Sequence, residues 1–300
     1  MGTKSQRTHF TAVRILWAIL VMNGFLFWNP KALCAEGRTS FLFFGDSGTG
    51  EKPQFEVANA MQRFCEKQTC DFSLLLGDNF YPSGVNGISD PQWKTKFEDP
   101  YSLLQLRFFA MLGNHDYLGN IKAQIAYTEK SSAWYLPSRY YQFSQGPVDF
   151  FVLDTNDFSS AQRKWLASAL TRSSALWKIV AGHHPVYSYG EHGDTKKLIK
   201  DLLPLIAPSV DFYLSGHDHD LQVLEENELT FVVSGAAAET RATGEGKRTI
   251  YSKSALGFSH LSIEEGEAYL RIVGRNGENL FETRYTKRSV FGEKGLTKRQ

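Results

Sequence analysis

The sequence predicts an α/β fold on three observations. Five short apolar runs each end in a glycine-containing polar cluster, stretches of helical period lie between them, and no repeat or linker divides the chain. Apolar runs of this length bounded by turns read as buried strands, and strands alternating with helices build sheets covered by helices. Ligands of open α/β sheets gather outside the carboxyl ends of the strands, so clusters spread over about 170 residues can meet in space.

The elements follow in order. Residues 41–44 end in Gly45-Asp46-Ser47-Gly48, residues 72–76 in Gly77-Asp78-Asn79-Phe80-Tyr81, and residues 108–112 in Gly113-Asn114-His115-Asp116. A strand at 150–154 follows; then residues 179–181 end in Gly182-His183-His184-Pro185 and residues 212–214 in Ser215-Gly216-His217-Asp218-His219. Helices are expected over 54–65, 120–130, 161–170 and 195–206, the last with Asp194 as its N-cap. Beyond residue 230 the pattern turns to strands at 231–234, 258–263, 268–274 and 279–285, forming an antiparallel edge or a second sheet layer. Asn276-Gly277 signals a two-residue hairpin, and the last ten residues read as a frayed tail.

Composition narrows the class. Of 300 residues 42% are apolar and 22% charged, which excludes disorder, collagen-like repeats and a disulfide-dense miniprotein. The net charge of +1 disfavours a dedicated nucleic-acid or membrane-surface binder. That balance is uneven: residues 1–35 hold Lys4, Arg7, Arg14 and Lys31 with no acid, leaving 29 basic against 32 acidic residues, net −3. Within this leader the apolar stretch 15–28 is shorter than the roughly 18–20 residues of a membrane span. Small residues follow it at Ala32 and Ala35, as in a secretory signal. Residues 1–35 are therefore expected to be a signal peptide, with a short membrane anchor as the alternative, and residues 36–300 a single domain exported to an extracellular, periplasmic or lysosome-like compartment. Cys65 and Cys70 would remain in the mature chain, and their spacing permits either a local bridge or two thiols.

The chemistry lies in the clusters. Five of the eight histidines fall within them, beside Asp46, Asp78, Tyr81 and Asn114. A Gly-Asp after one strand is ordinarily a turn, and His217-x-His219 alone is suggestive; five strand ends carrying metal-ligand residue types read jointly as a two-metal centre.

These blocks, Gly45-Asp46-x-Gly48, Gly77-Asp78-x-x-Tyr81, Gly113-Asn114-His115-Asp116, Val180-x-x-His183 and Gly216-His217-x-His219, resemble the signature of metallophosphoesterases. Tyr81 narrows the resemblance to purple acid phosphatases, and Gly84-Val85 and Ala123-Gln124-Ile125-Ala126-Tyr127 are similar to the small tartrate-resistant type of mammals. The resemblance spans residues 40 to 240. It implies an αββα sandwich of two mixed β-sheets flanked by helices. It also implies Fe(III) held by Asp46, Tyr81 and His219, a divalent Fe(II), Zn(II) or Mn(II) held by Asn114, His183 and His217, and Asp78 bridging the two. The donor chemistry agrees: phenolate and carboxylates suit a trivalent ion, an amide oxygen and imidazoles a divalent one.

In the same way His115 and His192 match the family's non-ligand positions, facing the phosphate and its leaving oxygen, where an imidazole can deliver a proton. His184 fits a pocket wall as well as a reactive role, His9 belongs to the leader, and His260 reads as a strand residue. The implied activity is hydrolysis of small phosphate monoesters by a metal-bound hydroxide, with an acid optimum; phosphoproteins or nucleotides are further candidate substrates, the charge balance argues against nucleic acid, and a monomer with no stable membrane partner once the leader is cleaved is expected. The alternatives are a phosphodiesterase, nucleotidase or phosphoprotein phosphatase with the same site, a non-catalytic secreted metal-binding protein, and redox chemistry at an iron pair. One departure stands out. The link Thr155-Asn156-Asp157-Phe158-Ser159-Ser160 is short where the mammalian-type relatives carry a longer protease-sensitive loop, which predicts a site open without proteolytic activation.

Overall fold

The computed structural model describes residues 1–2, 37–287 and 296–299. The leader reading and His9 therefore lie outside the described residues. The described residues from 37 onward belong to one compact unit, Leu33–Gln300. In chain order its elements are β1 (Arg38–Phe44), α1 (Lys52–Cys65), β2 (Phe72–Leu75), α2 (Asp99–Tyr101), β3 (Phe108–Ala110), α3 (Ile121–Ala126), β4 (Trp134–Tyr135), β5 (Tyr141–Gln145) and β6 (Val148–Val152). There follow α4 (Ser160–Arg172), β7 (Trp177–Ala181), α5 (Lys196–Asp201), α6 (Leu203–Ile206), β8 (Phe212–Ser215), β9 (Leu221–Glu226) and β10 (Leu229–Ser234). The last are β11 (Thr249–Lys253), β12 (Gly257–Glu264), β13 (Glu267–Gly274), β14 (Asn279–Lys287) and β15 (Leu296–Arg299).

Two mixed sheets form, in the orders β15-β14-β13-β12-β1-β2-β3-β4 and β11-β9-β10-β8-β7-β6-β5. In the first, β1 to β4 run parallel and β12 to β15 add antiparallel strands beyond β1. In the second, β6, β7, β8 and β10 are parallel. The parallel strands are covered on both faces, which is why β1 can read Phe41-Leu42-Phe43-Phe44 without a polar interruption. Each of those side chains is fully buried, worth roughly 1.5–3 kcal/mol apiece.

Period-two alternation sends neighbours to different layers. Phe150 enters the core between the sheets, where its ring lies 5.1 Å from Phe41 and 5.5 Å from Phe72. Phe151 packs instead with Leu166, Leu170, Leu198 and Ile206 of the helices on the second sheet's outer face. The α/β sandwich with flanking helices is thus as the sequence implied. No helix among the described residues is long and apolar enough to cross a membrane.

Four expectations need correction. Asp194 does not cap the helix after it; its carboxylate accepts the Ser188 N–H at 3.0 Å, and Thr195 occupies the cap without a side-chain bond. That helix also breaks into α5 and α6, because Pro204 lacks an N–H and restarts the chain in a first helical turn. The expected 120–130 helix is α3 followed by a 3₁₀ turn at Tyr127–Glu129, with the Asn120 side chain capping at the Ala123 N–H. The tail is not wholly frayed: β15 pairs antiparallel with β14, whose outer edge offers open backbone groups. Asn276-Gly277 does mark a turn, within a connection spanning 275–278 in which Gly277, at φ +86°, donates to the Gly274 carbonyl. Cys65 and Cys70 are disulfide-bonded.

Candidate metal centre

The five polar clusters follow β1, β2, β3, β7 and β8, two sets of adjacent parallel strands whose carboxyl ends share one edge of the sandwich. The loops interlock through ligand side chains and backbone. Asp46 Oδ2 accepts the His217 N–H at 2.8 Å, and Asp78 Oδ1 accepts the His115 N–H at 2.8 Å. Asp46, Asp78 and His217 stand at φ of 56°, 50° and 70°, a left-handed conformation costing non-glycine residues of order 1–3 kcal/mol each. These carboxylate–amide bonds hold them there. Gly113 is needed for the closure: a Cβ at that position would lie 2.1 Å from Asp78 Oδ1.

Tyr81 stands at the centre of one half. Its hydroxyl lies 3.1 Å from Asp46 Oδ1, 3.0 Å from Asp78 Oδ2 and 3.2 Å from His219 Nε2. One phenolic proton thus faces two carboxylate acceptors and an imidazole nitrogen. Burial, followed by the charges of Asp46 and Asp78, pushes the Tyr81 pKa far above the usual phenol range while no cation is bound. Burial works to lower the His219 pKa, but its contact with Asp46 prevails and raises it. His219 Nδ1 is buried without a hydrogen bond, 3.3 Å from Glu239 Oε2.

The other half gathers around His183. Its Nδ1 lies 2.9 Å from the Leu76 carbonyl, which can only accept, so Nε2 is the ring atom that faces the site. There it meets Asn114 Oδ1 at 3.0 Å, His217 Nδ1 at 3.2 Å and Asp78 Oδ2 at 3.5 Å. Burial, reinforced by neighbouring imidazoles, drives the His217 pKa far down, as suits a nitrogen with a lone pair to share. Donor atoms of Asp46, Asp78 and His183 all lie within 4.8 Å of one another. Acceptors converging with so few protons between them are a cation cradle, and the residues present fit a metal pair with Asp78 at the junction.

All nine residues singled out from sequence come to this edge. The His115 ring lies tilted 4.5 Å from Tyr81 with Nδ1 2.7 Å from the Pro82 carbonyl, and the His192 ring lies 4.1 Å from His217. His184 lines the same wall, its ring 4.5 Å from His217 and its Nδ1 2.8 Å from Thr155 Oγ1; burial first, then His183 and His192, push its pKa down to about 3. His260 lies in β12, bonded to Ser40.

Sequence reasoning assigned no role to Asp116. Fully buried, its carboxylate accepts from the Gly113 N–H at 2.8 Å and from Asn79 Nδ2 at 2.9 Å, tying the second and third ligand loops together. Its signal was its place in the third block, where a carboxylate two residues after Asn114 was free to turn inward.

The calcineurin-like phosphoesterase family model matches residues 39–221. Tartrate-resistant acid phosphatase type 5 of Mus musculus is 36% identical over 88% of this chain and 96% of its own. Among solved structures, one described as "GAP50 the anchor in the inner membrane complex of Plasmodium" superposes with a TM-score of 0.75 at 26% identity, covering 82% of this chain and 88% of that one. Purple acid phosphatase PPD1 of yellow lupin (Lupinus luteus) gives a TM-score of 0.70 at 15% identity over 85% of this chain and 55% of its own, a likeness of fold.

Proposed function

The chain belongs to the calcineurin-like phosphoesterase family, and we propose that it is an acid phosphatase of the purple type, hydrolysing phosphate monoesters at a mixed-valent metal pair. The observation that carries this reading is the Tyr81 hydroxyl seated among Asp46, Asp78 and His219. A phenol among carboxylates is a donor set for Fe(III). Asp46, Tyr81 and His219 would hold that ion, Asn114, His183 and His217 a divalent Fe, Zn or Mn, and Asp78 both. When bound, the ions supply positive charge to the phosphoryl oxygens and acidify the water that attacks phosphorus, which is why an acid optimum is expected.

The chain's own groups do the rest. His115 and His192 flank the donor cluster on the side open to substrate. With His192 Nδ1 engaged by Asp218 at 2.8 Å, Nε2 is the atom that delivers a proton to the leaving alkoxide. The His115 ring, similarly engaged through Nδ1–H by the Pro82 carbonyl, would as an imidazolium donate Nε2–H to a phosphoryl oxygen. The basic leader directs the protein to an exported compartment, where small phosphate esters are the substrates.

Metal analysis and a visible spectrum of purified protein, taken with a phosphomonoester and phosphodiester panel from acid to neutral pH, test the proposal. Iron with a phenolate charge-transfer band and a monoester preference is expected. Iron-loaded, oxidised protein without the band would remove Tyr81 from the metal and move the assignment to another metallophosphoesterase.

The likeness to the Plasmodium anchor favours a second reading, in which the fold holds a partner instead of turning over substrate. Failure to bind two metals or to hydrolyse any phosphate ester would favour that reading.

A further inference from the structure

His192 is only partly covered by its surroundings, its side chain 39% exposed, yet the group beneath it is fully buried. Asp218 lies between His217 and His219 in sequence and bonds elsewhere than to the cradle. Its Oδ1 accepts from the His192 backbone N–H at 2.9 Å and lies 2.8 Å from His192 Nδ1. Its Oδ2 accepts the Ser188 hydroxyl proton. Ser188 Oγ in turn accepts from the Gly190 N–H and from Gln222 Nε2, each at 2.9 Å, and Gln222 Oε1 accepts the Tyr189 N–H at 2.9 Å. A chain of bonds thus runs from β9, where Gln222 is fully buried, through Ser188 and Asp218 to the imidazole. The loop lies directly on this carboxylate: a Cβ on Gly190 would approach Asp218 Cγ to 2.5 Å.

Resting on the reading of His192 as the proton donor, we propose that Asp218 is a positioning residue that fixes the His192 ring so that Nε2 faces the leaving group, with Ser188 and Gln222 anchoring Asp218. The left-handed turn at His217 makes this possible. It lets residues 217 and 219 serve the metals while residue 218 serves the neighbouring loop. An imidazole on a surface loop otherwise rotates freely; a carboxylate gripping both its Nδ1–H and its backbone N–H leaves one orientation, in which the second proton of the imidazolium, the one to be transferred, sits on Nε2.

The test compares the metallated wild type with H192A, D218A, H192A/D218A and S188A. Each is assayed on p-nitrophenyl phosphate and on an alkyl phosphate of poor leaving ability, with metal content and ¹⁵N imidazole NMR of the zinc-substituted form. Asp218→Ala is expected to keep its metals and lose roughly 10²-fold in kcat on the alkyl phosphate, with a much smaller loss on the aryl ester. The double variant should be no slower than H192A, since two residues acting through one ring do not add. The His192 Nδ1–H signal should disappear in D218A, and S188A should show a smaller loss with the same leaving-group dependence. A further loss of similar size on adding D218A to H192A would overturn the proposal, as would an Nδ1–H signal that survives D218A. Should D218A shed metal, S188A decides, because the hydrogen bonds of Ser188 run to Asp194, Asp218, Gly190 and Gln222 and not to a ligand: leaving-group dependence equal to the wild type sinks the proposal. Undiminished activity of H192A would instead defeat the reading of His192 as donor, and the NMR signal would still decide whether Asp218 orients the ring.

Discussion

His217 and His260 are both pressed toward the neutral form by burial, with opposite consequences. At His217 the cause continues in a wall of imidazoles, and the nitrogen faces a cradle of acceptors that a cation would satisfy. At His260 there is no cradle: the ring sits against Phe64 at 4.8 Å, with Nε2 2.9 Å from Ser40 Oγ. Burial, then the charge of Arg271, takes its pKa from 6.5 down to about 3. Between those values the unfolded chain binds a proton that the folded one refuses, so stability falls as pH falls, by up to about 1.4 kcal/mol per pH unit from this group. Below about pH 3 this contribution is fully lost. Urea unfolding over this range should show His260→Gln with a shallower acid slope than the wild type. Parallel slopes would mean that His260 already protonates in the fold. Sequence alone separated these two histidines through their neighbours, since one stands in Gly216-His217-x-His219 and the other in an apolar strand.

At the scale of elements, the connection from β6 to α4 carries the clearest consequence. It is short, as the sequence indicated, and it is held in place. Thr155 Oγ1 bonds His184, Asn156 Nδ2 donates to the Leu112 carbonyl at 3.0 Å, and Arg139 joins Asp154 at 2.6 Å to Asp157 at 2.9 Å. Residues 155–160 contain no lysine or arginine. Limited trypsin treatment is therefore expected to leave phosphatase activity unchanged, and a several-fold rise would show that some other segment covers the site. Elements were harder to read where local rules competed. Asp194 has the residue type of a cap, but the Ser188 N–H was a closer claimant; β5, β9 and β11 lack an apolar run because their partners, not their own side chains, define them.

For the whole molecule, the net charge of about zero hides an anionic interior. Asp46, Asp78 and Asp116 are all buried within one cluster of loops, and burial followed by the charge of Asp78 raises the Asp116 pKa well above the usual carboxylate range. Such a cluster repels itself until a cation enters. Metal-stripped protein is therefore expected to melt lower than the reconstituted form, by on the order of 5–10 °C, with recovery on adding iron and zinc back. Scanning calorimetry of the two forms decides this, and identical melting would mean that the cradle is stable without its ions.

The donor types, their order and their places after apolar runs were all determined by the sequence, because strand, turn and ligand chemistry are local properties of a few adjacent residues. So was the short link after β6. Only the tertiary structure showed how closely those side chains approach one another, that Asp116 ties two of the loops together, and that Asp218 turns away to the His192 loop. Those facts depend on loops far apart in the chain meeting at one edge of two sheets, and on left-handed turns that set which way each side chain points. Long-range approach and backbone handedness are products of the packed core, not of the few residues on either side.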